Sequence, residues 1–136
     1  MTQEEKQLLL KDLSCRIPYG VIVNVEGNTN AKLESVNWYE EVSVDDGSND
    51  LYTISEVRPY LFPLSSMTEE QQKEANIFDD MDIDILKENL ERNHRNKTNI
   101  PTATYNYIDW LNAHHFDYRG LIEKGLAIEA PEEMYN

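Results

Sequence analysis

The sequence predicts an α+β fold: an N-terminal helix, then a small, strongly bent antiparallel sheet or Sm-like barrel, then a helical C-terminal unit packed on it. Three observations carry this reading. A capped leucine-rich segment opens the chain, valines then recur with period two between tight turns, and beyond Pro63 the apolar spacing becomes helical. With 136 residues, 40% of them aliphatic, aromatic or sulfur-bearing, the chain has the length of a single domain with a moderate core. The organisation expected is a helix over 1–16, a sheet or barrel over 17–63, and a mainly helical unit over 64–136 with a last strand at 126–129.

Thr2 stands three places before Glu5, the spacing at which each side chain satisfies a free backbone donor of the other at a helix start. Leu8, Leu9, Leu10 and Leu13 then form one broad apolar face, which a helix this short must pack against something. Val21, Val23 and Val25 share one strand face, and Val42 and Val44 another. Gly27-Asn28 and Asp46-Gly47 supply residues that tolerate positive φ, as hairpin turns require. Pro59 and Pro63 frame the exit from the sheet. Ser66 or Thr68 can cap the helix that follows, with Glu69 and Glu70 well placed in its first turn. Further on, Met81, Ile83 and Ile85 alternate like a strand while Ile83, Leu86 and Leu90 suit a helix, and the helix, about Asp82 to Asn93, is preferred. Another helix covers about Ala103 to His114, after Pro101. Gly120 and Gly125 flank one further helical turn.

Twenty-six acidic against 12 basic residues give a formal charge of −14, which repels phosphate and favours basic partners. Direct nucleic-acid binding is disfavoured unless Arg58, Arg92, Arg95 and Lys97 gather into one patch. No apolar run approaches the ~20 residues that span a bilayer. The lone Cys15 cannot close an internal disulfide, and no apolar leader segment is evident. A cytoplasmic protein with no membrane partner is expected; nothing in the composition sets its oligomeric state.

The richest stretch chemically is WLNAHHFDYRG at 110–120. Adjacent His114 and His115 point about 100° apart on a helix and cannot both ligate one ion from regular geometry. Tyr107, Trp110 and Leu111 continue at helical spacing onto His114, which puts that ring at the end of a core-facing row, where it can cap the last carbonyls. Asp80, Asp82, Asp84 and Glu91 match ligand positions of a calcium loop, but Ile85 stands where the loop's sharp turn needs glycine. No Gly-x-Ser-x-Gly turn exposes a nucleophile, Cys15 has no evident base, and the glycines at 20, 27, 47, 120 and 125 make no phosphate loop. No catalytic set, metal site or cofactor is therefore expected. Aromatic residues are the more informative feature: packing of the C-terminal region against the sheet is the preferred reading, and an exposed binding patch is the alternative, because rings with polar tips favour interfaces. The candidate interaction surface comprises Trp38, Tyr39, Tyr60, His115, Asp117, Tyr118 and Arg119.

Three stretches, CRIPYGV at 15–21, ISEVRPYLFPLSSMTEEQ at 54–71 and WLNAHHFDYRGLIEKGLAIEAPEEMYN at 110–136, together resemble a family of small acidic proteins of no assigned activity, common in gut Bacteroides genomes and prophages. Glu133 stands where that family's ending has glycine. The resemblance implies a setting, a bacterial cytosol and its mobile elements, and transfers no site. The function expected is that of a non-enzymatic accessory protein that binds another protein, one with a basic surface. One alternative is an acidic DNA mimic, with Glu69, Glu70, Glu74, Asp79, Asp80, Asp82 and Asp84 lining one face in place of phosphates. The other is a metal-dependent enzyme using His114, His115 and Asp117.

Overall fold

The structure, a computed structural model, describes residues 1–26, 29–48, 50–75 and 102–135. Helix α1 spans Gln3–Arg16 and opens with the expected capping box: Glu5 N–H donates to Thr2 Oγ1 at 3.1 Å, and Thr2 N–H donates to Glu5 Oε1 at 2.9 Å. Its buried residues are Leu9, Asp12, Leu13 and Arg16, an i, i+3, i+4, i+7 stripe in which two members are charged. Leu8 and Leu10, expected on the core face, flank that stripe and are half-buried.

The strands follow as β1 (Ile22–Val25), β2 (Thr29–Val36), β3 (Glu41–Val44), β4 (Tyr52–Thr53) and β5 (Val57–Pro63). Both valine sets do face inward: β1 and β3 alternate half-buried and buried residues, with Val21, Val23, Val25, Val42 and Val44 in the core. The sheet changes partner along β2, whose first half pairs antiparallel with β1 and whose second half pairs antiparallel with β3. A register shift between Leu33 and Ser35 marks the change of partner, as a bulge does where a strand must turn.

Two further strands, β6 (Phe116–Asp117) and β7 (Ile128–Glu129), both run parallel to β5. They flank it, because a single peptide unit serves both: Leu61 C=O accepts from Ala130 N–H, while Phe62 N–H donates to His115 C=O, each at 2.8 Å. The strand order is β4-β3-β2-β1-β5-β6, with β7 on β5. Of the two expected forms, sheet or closed barrel, the chain adopts the open sheet. The C-terminal strands, and not β4, are the neighbours of the outer half of β5.

Helix α2 covers Glu69–Ala75 and is capped by Thr68, not Ser66: Gln71 N–H donates to Thr68 Oγ1 and Thr68 N–H to Gln71 Oε1. Helix α3 covers Thr102–Ala113. After it the chain departs from the mainly helical unit expected, because positive φ at His115, Gly120 and Gly125 breaks helical continuation. The turn between the glycines ends in a Schellman arrangement, with Leu126 N–H on Leu121 C=O and Gly125 N–H on Ile122 C=O. The Gly27-Asn28 turn, the helix expected at 82–93 and the acidic run from Asp79 to Asp84 lie outside the described residues.

One apolar cluster joins Leu9 and Leu13 of α1 to the inner face of the sheet and to Leu121 and Leu126. A second gathers Met67, Ala75, Tyr107, Leu111, Phe116 and Tyr118. The stretch 110–120 thus supplies three members of the second cluster, Leu111, Phe116 and Tyr118, and the chain just beyond it supplies the first.

Candidate functional site

Most polar groups of the stretch 110–120 have a partner that explains their place, while the buried Trp110 Nε1 and His115 Nδ1 have no hydrogen-bond partner among the described residues. His114 ends α3: its N–H donates to Trp110 C=O, its Nδ1 lies 2.9 Å from the same oxygen, and its ring stacks on Trp110 at 4.0 Å. His115 turns the chain with φ 63° and stacks on Tyr135 with centroids 3.6 Å apart. Burial, then the nearby charges of Arg16 and His114, push its pKa down to about 4, so the ring is neutral at physiological pH. Asp117 accepts two backbone bonds, from Leu121 N–H and Ile122 N–H, both at 2.9 Å. Tyr118 donates its hydroxyl to Asn112 Oδ1 at 3.0 Å.

Beneath them lies a charge cluster that sequence reasoning missed. Asp12 and Arg16 are fully buried, and the Arg16 guanidinium makes a fork onto the Asp12 carboxylate at 2.8 and 3.1 Å while also donating to Phe116 C=O at 2.8 Å. Burial works against the Arg16 charge, but the adjacent Asp12 carboxylate outweighs it and the pKa is raised. Arg119 Nε reaches the same carboxylate at 3.3 Å, and the two guanidinium carbons each stand 5.2 Å from the Tyr118 ring centroid. The signal was available. An acid and a base four apart, at the i+3 and i+7 positions of the Leu9 stripe, face the core by register alone.

This geometry corrects the expected interaction surface. His115, Asp117 and Tyr118 are 7%, 6% and 5% exposed, so they form interior structure, and Arg119 is tied to Asp12. Nor does the set His114, His115 and Asp117 make a shared site, since one caps a helix, one stacks on Tyr135 and one holds a turn. Among the described residues no group of three His, Cys, Asp or Glu side chains could hold a metal ion. Of the residues proposed to imitate phosphates, Glu69, Glu70 and Glu74 are exposed on α2, and the four aspartates lie outside the described residues.

Two members of the expected surface remain fully outward. Trp38 and Tyr39 are 89% and 79% exposed at the tip of the β2–β3 hairpin. Several hydrogen bonds brace the turn that carries them. Asn37 Oδ1 accepts from Tyr39 N–H and Glu41 N–H, Asn37 Nδ2 donates to Glu41 Oε1, and Glu40 N–H donates to Asn37 C=O. Glu40 sits at φ 62°, a left-handed position usually given to glycine or asparagine in a three-residue hairpin loop. Gln3 Nε2 of α1 holds the Glu40 carboxylate at 2.8 Å, with Gln7 Nε2 on the same oxygen at 3.4 Å. Tyr60, the remaining candidate, is half-buried and donates its hydroxyl to Asn30 Oδ1.

Comparison with family models, curated proteins and solved structures returns no match. Among the described residues no helix is long and apolar enough to cross a membrane.

Proposed function

We propose that this chain is a non-enzymatic accessory protein that works by binding another protein through the Trp38–Tyr39 turn. The observation that supports this reading is the pair of rings held in water on a braced hairpin tip. Large apolar side chains left exposed contribute nothing to the core, and Glu40 carries left-handed strain of about 1–2 kcal/mol to shape the turn that presents them. A rigid aromatic pair loses little conformational entropy on docking, which is why tryptophan and tyrosine dominate binding energy at interfaces. Glu40 and Glu41 follow the rings directly, and with a net charge of −14 they favour a partner whose apolar pocket has a basic rim.

The test is a comparison of wild type with the double variant Trp38→Ala, Tyr39→Ala in affinity capture from host lysate, alongside thermal melting. Because both side chains are exposed, stability should stay within about 0.5 kcal/mol of wild type. Loss of two central anchors should weaken a specific partner by about 30-fold or more. Retention of the same partners by the variant would remove the proposal. So would turnover of a small metabolite by the purified protein that disappears on changing His115.

A further inference from the structure

A cleft of about 460 Å³ opens between the start of α2, the end of β5 and the C-terminal chain. Phe62, Phe116 and Tyr135 are among the residues that line it. Phe62 lies 6.0 Å from Phe116 and 5.9 Å, edge to face, from Tyr135. Glu129 and Glu132 line the same cleft, and both are exposed. Other polar groups along it are engaged already: Ser66 Oγ donates to Pro63 C=O, and Thr68 and Gln71 cap one another. Among the described residues no lysine, arginine or histidine lines the cleft.

We propose that this cleft receives a lysine or arginine side chain of a partner protein. A cleft lined by aromatic residues and two exposed glutamates matches a side chain with a methylene stem and a charged end, because the stem covers apolar surface while the head reaches the acids. Aromatic rings add attraction for the same cation. An anionic group would meet two like charges, and a neutral alkyl chain would leave the carboxylates unanswered. The net charge of −14 raises the local concentration of basic segments around the whole molecule.

The cleft is separate from the hairpin tip and does not rest on it. Gln3 and Gln7, near the start of α1, touch Glu40, whereas Arg16 at its other end donates to Phe116 C=O. A helix of 14 residues is about 20 Å long, so the two features lie at opposite ends of α1. Loss of one can therefore be distinguished from loss of the other.

The experiment is an amide NMR titration of the full chain with the N-acetyl methylamides of lysine, arginine, norleucine and glutamate. The lysine or arginine compound should produce saturable shifts at the amides of Phe62, Ala130 and Tyr135 with millimolar affinity. Binding should weaken at least tenfold in the variant Glu129→Gln, Glu132→Gln and as salt is raised, and stay unchanged in Trp38→Ala. Norleucine binding as well as lysine, a response to the glutamate compound, or no saturable shift at those amides would each overturn the proposal. Both glutamates are exposed, so an unchanged spectrum of the free variant confirms that its fold is intact.

Discussion

The hydroxyl of Tyr135 occupies the place where the β1–β5 ladder would set its next rung. The register pairs Val23 with Pro59, which puts Ile22 opposite Tyr60, and the phenol bridges those two residues. Ile22 N–H donates to Tyr135 Oη at 2.9 Å, and the hydroxyl donates on to Tyr60 C=O at 2.7 Å. Burial raises the Tyr135 pKa to about 12, which keeps the donating proton in place. Tyr135→Phe retains the ring against His115 and Phe62 but strands two backbone groups. It should cost about 1–3 kcal/mol, read as a lower urea midpoint with an unchanged slope. His115, stacked on that ring, gives the molecule a pH dependence. Its folded pKa of about 4 lies below the usual 6.5, so the unfolded chain takes up the proton first as pH falls. Stability present above about pH 6.5 should decline down to about pH 4, by an amount on the order of 3 kcal/mol. His115→Asn tolerates the positive φ and cannot titrate. The difference between its pH–stability curve and that of wild type should isolate this slope, and parallel curves would show that the ring is not held neutral.

Helix α1 docks through both leucines and ions, and the ions make its seating specific. Asp12 is the counter-charge for two guanidinium groups, so Asp12→Ala should lose about 3–5 kcal/mol by leaving Arg16 buried and unpaired. Replacing the pair together, Asp12→Leu with Arg16→Met, should lose far less. A double-mutant cycle by denaturant unfolding measures the difference, and additive losses would show that the pair is uncoupled. Elements with local causes were legible in the sequence. The Thr2–Glu5 box, the alternating valines and the extent of α3 each follow from residues within a few positions of one another. The strands β6 and β7 were harder, because each is two residues long and is defined by pairing with β5 across more than 50 positions. Only the last strand expected at 126–129 has a counterpart, in Ile128–Glu129. In the stretch 110–120, register placed His114 at the helix end, but the inward turn of His115, Asp117 and Tyr118 depends on a left-handed residue followed by contacts to α1 and Tyr135.

Over the molecule as a whole, 26 carboxylates against 12 basic groups repel one another in the folded state more than in an expanded chain. Raising ionic strength from about 0.01 to 0.15 M shortens the screening length from about 30 to 8 Å, so the melting temperature should rise across that range. The same salt should barely alter the loss in Asp12→Ala, since that pair is shielded from solvent. A melting temperature indifferent to salt would mean that the surface charges are already balanced by neighbours. The candidate sites differ in legibility at this scale. Trp38 and Tyr39 are visible as aromatic residues in or beside the sheet, but the turn between β2 and β3 that exposes them was not legible in the sequence. The cleft is not visible at all, because Phe62, Phe116, Glu129 and Tyr135 come together only when the end of the chain folds back on β5. That return has a consequence for synthesis. The guanidinium of Arg16 is made early and its acceptor at Phe116 is made 100 residues later, so α1 cannot seat its charges until nearly the whole described chain has been translated. The Arg16 bond to Phe116 is thus among the last long-range contacts that the described chain can make as it is synthesised.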